Sequence, residues 1–361
     1  MEDSPVSDSL VIQSHKGPYS VSFGTRFAAD LPALADAEAH FLVDANIARF
    51  YGPRLKAILA RPSTVVIDAT EDNKSLERTI PVFERLIASK VRRGQVLVAI
   101  GGGIVQDVTC FIASTFLRGL PWHFVPTTLL AQADSCIGSK SSINLGAAKN
   151  IVGTFNPPQR VHIWTEFLDT LEQKDIQSGI GEIIKVHAID GVDSFDRMSK
   201  EFRKLYSDRE TLLRYIHAAL LIKKRFIEED EFDRGIRNIF NYGHSFGHAI
   251  ESATDYRVPH GIAVTIGMDM ANFIAVERGL LPRSHFDRMH DTLHINYEGY
   301  AATDIPVDAL LDALMKDKKN TTTMLGLIFP VGDKAAIQRV DVPPDAAFRG
   351  QCMRFLSELK Q

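Results

Sequence analysis

Short apolar runs rich in β-branched residues alternate with amphipathic stretches through the first half of the chain, and this alternation constrains the fold most. The runs are HFLVDAN (40–46), TVVIDAT (64–70), QVLVAIGGG (95–103), HFVPTT (123–128) and VHIW (161–164). Helical patterns such as LERTIPVFERLIASKV (76–91) and VQDVTCFIASTFLRG (105–119) separate them. Strands alternating with helices predict a parallel sheet covered on both faces, with ligands beyond the carboxyl ends of its strands. After GTFNPPQR (153–160) the pattern changes, and residues 166–290 carry long amphipathic segments with few strand-like runs. The chain therefore reads as an α/β domain over residues 1–165 followed by a mainly α-helical domain over 166–361. LGLIFPV (325–331) and AAIQRV (335–340) predict a small late hairpin around Gly332 and Asp333.

Composition narrows the function classes. With 361 residues, 45% hydrophobic and 24% charged, the chain is an ordinary globular protein long enough for two domains. A net charge of -4 opposes non-specific nucleic-acid binding, which needs a strong positive field. Cys110, Cys136 and Cys352 are odd in number and lack CxxC spacing, so neither a disulfide scaffold nor a Cys-rich zinc module is expected. The start, MEDSPVSDSL, lacks the basic and apolar regions of a signal peptide, and no apolar run approaches the ~20 residues that span a membrane. A cytoplasmic location is expected.

Three segments carry chemistry. The first is GGG at 101–103 followed by Asp107, after a strand-like run and before a helix. Adjacent glycines let backbone N–H groups approach a phosphate, and a helix N-terminus favours the anion. A plain strand-to-helix turn accounts for the run equally well, and the dinucleotide fingerprint GxGxxG is absent.

The second is RNIFNYGHSFGH, where Arg237, Asn241, His244 and His248 follow at spacings of 4, 3 and 4. In a helix they form one polar stripe, which is costly to bury without a ligand. Ser245 stands where a metalloprotease HExxH carries its glutamate, so peptidase chemistry is disfavoured. His244 and His248 could share a metal or divide the roles of ligand and acid–base. His260, in PHGIAV, alone reads as a structural or surface histidine, but with His244 and a carboxylate, for which Glu182 of SGIGEIIKV is a candidate, it would make a zinc set. The bland account of Glu182 and Lys185 is an exposed helix ion pair worth ~0.3–0.5 kcal/mol.

The third is DSCIGSKSSINLGAAKN (134–150), with Asp134, Lys140, Asn144, Lys149 and Asn150 among small residues. Such a run suits a polyhydroxylated, phosphorylated ligand, although alone it reads as a solvated surface loop. KDKK (316–319) adds ammonium groups that a solvated charge run also explains.

Taken together, GGGxxxD, FLRG, PTTLLAQADSxxGxK, KN, GxxExIK, NYGHSFGHAIE and HGIAV stand in the order found in 3-dehydroquinate synthases, within the wider sugar-phosphate cyclases. The chain resembles that family from about Asp44 to Lys319. The resemblance implies an NAD-binding first domain and a metal- and substrate-binding second domain. It implies zinc (or cobalt) on Glu182, His244 and His260. It implies NAD at Asp44, Asn46, Glu71, Lys74, Gly102, Gly103, Asp107, Thr127, Thr128 and Lys149. It implies substrate around Asp134, Lys140, Asn150, Lys185, Lys223, Arg237, Asn241, His248 and one of the late lysines, with Lys318 the candidate. Arg118 of FLRG looks like the arginine that reaches a neighbouring subunit's substrate phosphate, which implies a homodimer.

The implied activity is closure of 3-deoxy-D-arabino-heptulosonate 7-phosphate to 3-dehydroquinate, with NAD and zinc as cofactors and no nucleic-acid or membrane partner. Gln106 departs from the family pattern, where a small residue is usual. Ser139 and Ser141 fall in GSKSSIN where GGKTAVN is usual, and Ile262 replaces a glutamate. These departures keep related cyclases of sedoheptulose 7-phosphate or glucose 6-phosphate as alternatives. A metal-dependent polyol dehydrogenase and a non-catalytic metabolite-binding protein are the rival classes. The lysines and Arg237 favour an anionic substrate over the former, and the Glu182, His244 and His260 set argues against the latter.

Overall fold

The computed structural model describes residues 9–27, 34, 38–146, 148–317 and 320–360. The chain divides into two compact units, Met1–Glu172 with Ile216–Phe232, and Gln173–Tyr215 with Asp233–Gln361. The expected division after residue 165 thus falls seven residues later, and part of the helical half joins the first unit. Amphipathicity shows that a helix buries one face, but not which unit covers it.

The first unit is built on a seven-stranded sheet. Its strands are β1 (Ser9–Ile12), β2 (Tyr19–Gly24), β3 (Ala39–Asp44), β4 (Val65–Ile67), β5 (Val96–Gly101), β6 (Trp122–Pro126) and, after a hairpin, β9 (Arg160–Trp164). Their order is β1-β2-β9-β6-β5-β3-β4. Among the described residues of this sheet only β1 and β2 pair antiparallel, as a hairpin absent from the sequence reading. Every residue of β3 and nearly all of β5 are buried, as expected of strands covered on both faces. The chain runs outward from β3 to β4 and then returns to place β5 on the other side of β3. This reversal makes the carboxyl ends of β3 and β5 a switch point, where open α/β sheets bind ligands. Phe27, Phe41, Tyr51, Trp164 and Phe167 fill one core cluster, with Phe27 stacked on Phe167 at 4.8 Å.

The hairpin consists of β7 (Lys140–Leu145) and β8 (Ala148–Phe155), preceded by a π-helical turn over Ala131–Ser135. The described residues of the 134–150 run thus lie largely in the π-helical turn and a partly exposed hairpin, where a solvated loop is the plain expectation. Residues 148–151 are all exposed, so hydrophobic alternation gave no sign of the strand.

The second unit is helical. Helix His260–Glu277 is buried on nearly every side and lies at its centre. The late hairpin is present as β10 (Leu325–Val331) antiparallel to β11 (Ala336–Val342). The stretch from Arg237 to His248 is not one helix. Ile236–Asn241 is a 3-10 turn, Gly243 adopts φ 75°, and an α-helix starts at His244. The left-handed glycine breaks the register, so Arg237 and Asn241 do not share a helical stripe with the histidines. All three cysteines are buried and free. Among the described residues, no helix is long and apolar enough to cross a membrane.

Candidate functional site

In the first unit, β5 ends at Gly101, and Gly102 precedes helix Gly103–Thr115 with no side-chain cap. The first N–H groups of that helix thus lack an intrahelical partner, the usual arrangement for receiving a phosphate. Thr127 N–H donates to Gly101 O at 2.9 Å, which lays the threonine turn beside the glycine turn. A Cβ on Gly102 would stand 2.9 Å from Thr128 Cγ2. At the end of β3, the Asp44 carboxylate accepts the Asn46 N–H at 2.8 Å, and burial pushes its pKa up.

Lys74 is the centre of a polar network. Its ammonium lies 3.4 Å from Asp107 Oδ2, 3.7 Å from Glu71 Oε1, and donates to Asn150 Oδ1 at 2.8 Å. Asn144 ties the group together by donating to Glu71 Oε1 at 2.9 Å and accepting Asn150 N–H at 2.8 Å. Burial pushes the Asp107 carboxyl up to about 6, against the opposing pull of Lys74 and the Ser142 N–H. The structure thereby brings the neighbours Glu71 and Lys74 together with Asp107 and Asn150 from distant parts of the chain. Nearby in sequence, Lys140 and Lys149 are exposed on the β7–β8 hairpin.

Asp134 lies in the π-helical turn, and its Oδ1 is 2.8 Å from Lys223 Nζ. That ammonium also donates to Asp134 O at 2.6 Å. This contact is one reason the Ile216–Phe232 segment belongs to the first unit. Arg118 is exposed in a turn whose residues Leu117 and Arg118 have φ 52° and 66°.

The second unit assembles Glu182, His244 and His260 from three helices, Gln173–Asp190, His244–Ala253 and His260–Glu277. Glycines allow the close approach. A Cβ on Gly181 would lie 2.2 Å from Gly261 O, and one on Gly267 2.2 Å from Gly243 O. Backbones therefore touch at the residues next to Glu182, His260 and His244.

Glu182 Oε1 is 3.7 Å from His244 Nε2 and 3.5 Å from His260 Nε2, and no hydrogen bond reaches that oxygen among the described residues. Its other oxygen pairs with Lys185. Glu182 is 1% exposed and Lys185 2%, which overturns the account of an exposed helix pair. Burial alone would raise the Glu182 carboxyl, but Lys185, His260 and His244 outweigh it and hold it well below the usual range. Burial and Lys185 keep His244 neutral, and its Nδ1 faces Tyr242 O at 3.3 Å, leaving Nε2 as an electron-pair donor. His260 Nδ1 meets Glu251 Oε2 at 3.1 Å. Burial works against a proton on His260, yet the Glu182 and Glu251 carboxylates push it up to about 10. Anions that hold a proton so firmly suit a cation in its place.

His248 is exposed, and one ring nitrogen from each of His244, His248 and His260 fits within 4.8 Å of the others. A second donor set thus shares two imidazoles with the first, and the buried Oε1 of Glu182 distinguishes the first. Arg237 is buried, and Asn241 Nδ2 donates to Asn238 O at 3.0 Å. Lys318 lies outside the described residues. Glu251 was missed by the sequence reading, although it follows His248 by three residues on the same helix.

The profile described as 3-dehydroquinate synthase N-terminal matches residues 64–178, and the one described as 3-dehydroquinate synthase C-terminal matches 179–320. The chain belongs to the 3-dehydroquinate synthase family. A 3-dehydroquinate synthase of Alkaliphilus metalliredigens is 34% identical over 84% of this chain and 86% of its own length. One of Streptococcus pyogenes serotype M5 is 37% identical over 72% of each chain. Among solved structures, the 2-epi-5-epi-valiolone synthase of Streptomyces hygroscopicus, with NAD+ and Zn2+ bound, is similar at TM-score 0.81 and 27% identity. That match covers 94% of this chain and 96% of the other. Membership of this family makes the protein an enzyme of the cyclase class.

Proposed function

We propose that the enzyme closes 3-deoxy-D-arabino-heptulosonate 7-phosphate to 3-dehydroquinate with release of phosphate, using NAD and zinc. The observation that carries this reading is the buried Glu182 carboxylate, whose unpartnered Oε1 faces Nε2 of both His244 and His260. One carboxylate and two imidazoles fit zinc or cobalt with positions left for substrate oxygens. When bound, the metal supplies Lewis-acid polarisation of a substrate oxygen and NAD supplies hydride chemistry.

The chain's own residues hold these groups ready. Lys185 keeps Glu182 ionised, and Glu251 and the Tyr242 carbonyl orient the two imidazoles through Nδ1. His248, on the exposed side of its helix, is assigned to proton relay. Arg237 and Lys223 are assigned to the substrate carboxylate, and Lys140, Asn150, Lys185 and Asn241 to its oxygens and phosphate. The glycine turn, Asp44, Asn46, the threonine turn, Lys149, Glu71, Lys74 and Asp107 are assigned to NAD, consistent with the switch point at β3 and β5. The reading carries with it a cytoplasmic homodimer in which Arg118 serves the partner's phosphate.

A second reading, a cyclase of uncarboxylated sugar phosphates, draws on the 27% identity to the valiolone synthase. Ile262, where the family pattern has glutamate, is fully buried. Phosphate release without net NADH absorbance separates a cyclase from a dehydrogenase. Purified enzyme offered the keto acid and sedoheptulose 7-phosphate separately tests the substrate. Efficient closure of the latter with none of the former would overturn the substrate assignment.

A further inference from the structure

Gln106 occupies the first turn of the glycine-turn helix, where the family pattern has a small residue. It is 6% exposed, and both ends of its amide are engaged. Nε2 donates to Ser135 O at 2.6 Å, and Oε1 accepts from Ser135 Oγ at 2.7 Å. Ser135 is the last residue of the π-helical turn and directly follows Asp134. The turn is closed by Cys136 N–H to Ala131 O at 3.0 Å, an i→i+5 bond of a kind that persists where surrounding contacts hold it. Gln132 holds its other end, donating from Nε2 to Pro126 O and Trp164 O, each at 3.0 Å. Those carbonyls terminate β6 and β9, so that end is fastened to the sheet. The Ser135 end is fastened by Gln106.

We propose that Gln106 is a positioning residue that clamps the π-helical turn and thereby sets where the Asp134–Lys223 pair meets the sugar phosphate. The proposal rests on the reading above of Asp134 and Lys223 as substrate-facing groups. The Gln106 amide meets Ser135 on both counts, supplying one donor and one acceptor from a single side chain. A small residue could do neither, so the clamp belongs to this chain rather than to the shared motif. It also commits the Ser135 hydroxyl proton to Gln106 and withholds it from a ligand.

The test uses full-length enzyme loaded with NAD and zinc, as wild type, Gln106→Met, Ser135→Ala and the double variant. Methionine preserves the length of the side chain and removes both hydrogen bonds. Gln106→Met should speed amide hydrogen exchange in residues 131–136. It should raise KM for 3-deoxy-D-arabino-heptulosonate 7-phosphate about tenfold, with a smaller change in kcat. NAD affinity should stay within about twofold, because the glycine turn itself is untouched. The double variant should be no worse than Gln106→Met alone. Unchanged exchange and unchanged KM would overturn the clamp, as would a loss confined to NAD binding. If Gln106→Met does not fold, Ser135→Ala probes the same contact through the same exchange and KM readouts. Should wild type close only an uncarboxylated sugar, the substrate reading fails. The exchange of residues 131–136 and the KM for that sugar then decide the clamp.

Discussion

Glu182→Gln and Lys185→Met remove opposite halves of one buried pair and should respond to zinc in opposite ways. Both partners are almost completely shielded, at 1% and 2% exposure. Removing one partner of such a pair costs about 3–5 kcal/mol, because the other charge stays buried without compensation. For a domain of 150–250 residues this lowers Tm by roughly 6–20 °C. Glu182→Gln falls toward the lower end, since an amide oxygen can still accept from Lys185. Zinc at about 100 times its Kd adds about 2.7 kcal/mol to any variant that retains the site. In Lys185→Met the unpaired carboxylate is the group that a divalent cation compensates, so zinc should restore much of the loss. Glu182→Gln lacks the anionic donor and should gain little. The assay is thermal unfolding of chelator-treated protein with and without zinc, alongside metal analysis of each variant. Stoichiometric zinc in Glu182→Gln, or the same thermal gain as wild type, would refute the argument that Glu182 Oε1 is a metal donor.

The other expectations concern packing, assembly and pH. Gly261→Ala would put a Cβ 1.8 Å from Ser178 O, forcing apart the helices that carry Glu182 and His260. It should cost about 2–3 kcal/mol in denaturant unfolding and weaken zinc binding, and retention of both would contradict the close-contact account. Arg118→Ala mixed with His248→Ala should recover activity that neither has alone, as a hybrid dimer contains one intact site. Verified subunit exchange without recovery would exclude sharing. His290 donates from Nδ1 to Asp269 Oδ2 at 2.8 Å, and that bond holds its pKa above the usual imidazole value despite burial. Its stabilisation is therefore complete below about pH 6.5 and declines as pH rises through the higher folded value. With 39% of the His290 side chain exposed, the effect is small. Urea midpoints should fall more between about pH 6 and 8 in wild type than in His290→Gln, and equal slopes would dismiss the pair.

Local patterns were enough to read β3 to β6 and β9, because each is a short apolar, β-branched run between turn signals, continuous where both faces are buried as in β3 and β5. The late hairpin was legible for a related reason, two β-prone runs flanking Gly332. Residue types and spacing also supplied the candidate donors Glu182, His244 and His260, and the glycine turn before Asp107. What needed the tertiary structure was every decision made by contacts distant in sequence. The exposed strand β8 carries no periodic signal, and its partner β7 rather than its composition makes it a strand. Lys223 and its helix segment join the first unit through Asp134, 89 residues away. The sequence could not say that Glu182 and Lys185 are buried, and burial turns an ordinary i, i+3 pair into a costly, purposeful one. Nor could it show the backbone contacts at Gly181–Gly261 and Gly243–Gly267 that draw three helices together, or the bond from Gln106 to Ser135. Periodicity reports which face of an element avoids water, whereas a site depends on which elements touch, and only packing decides that.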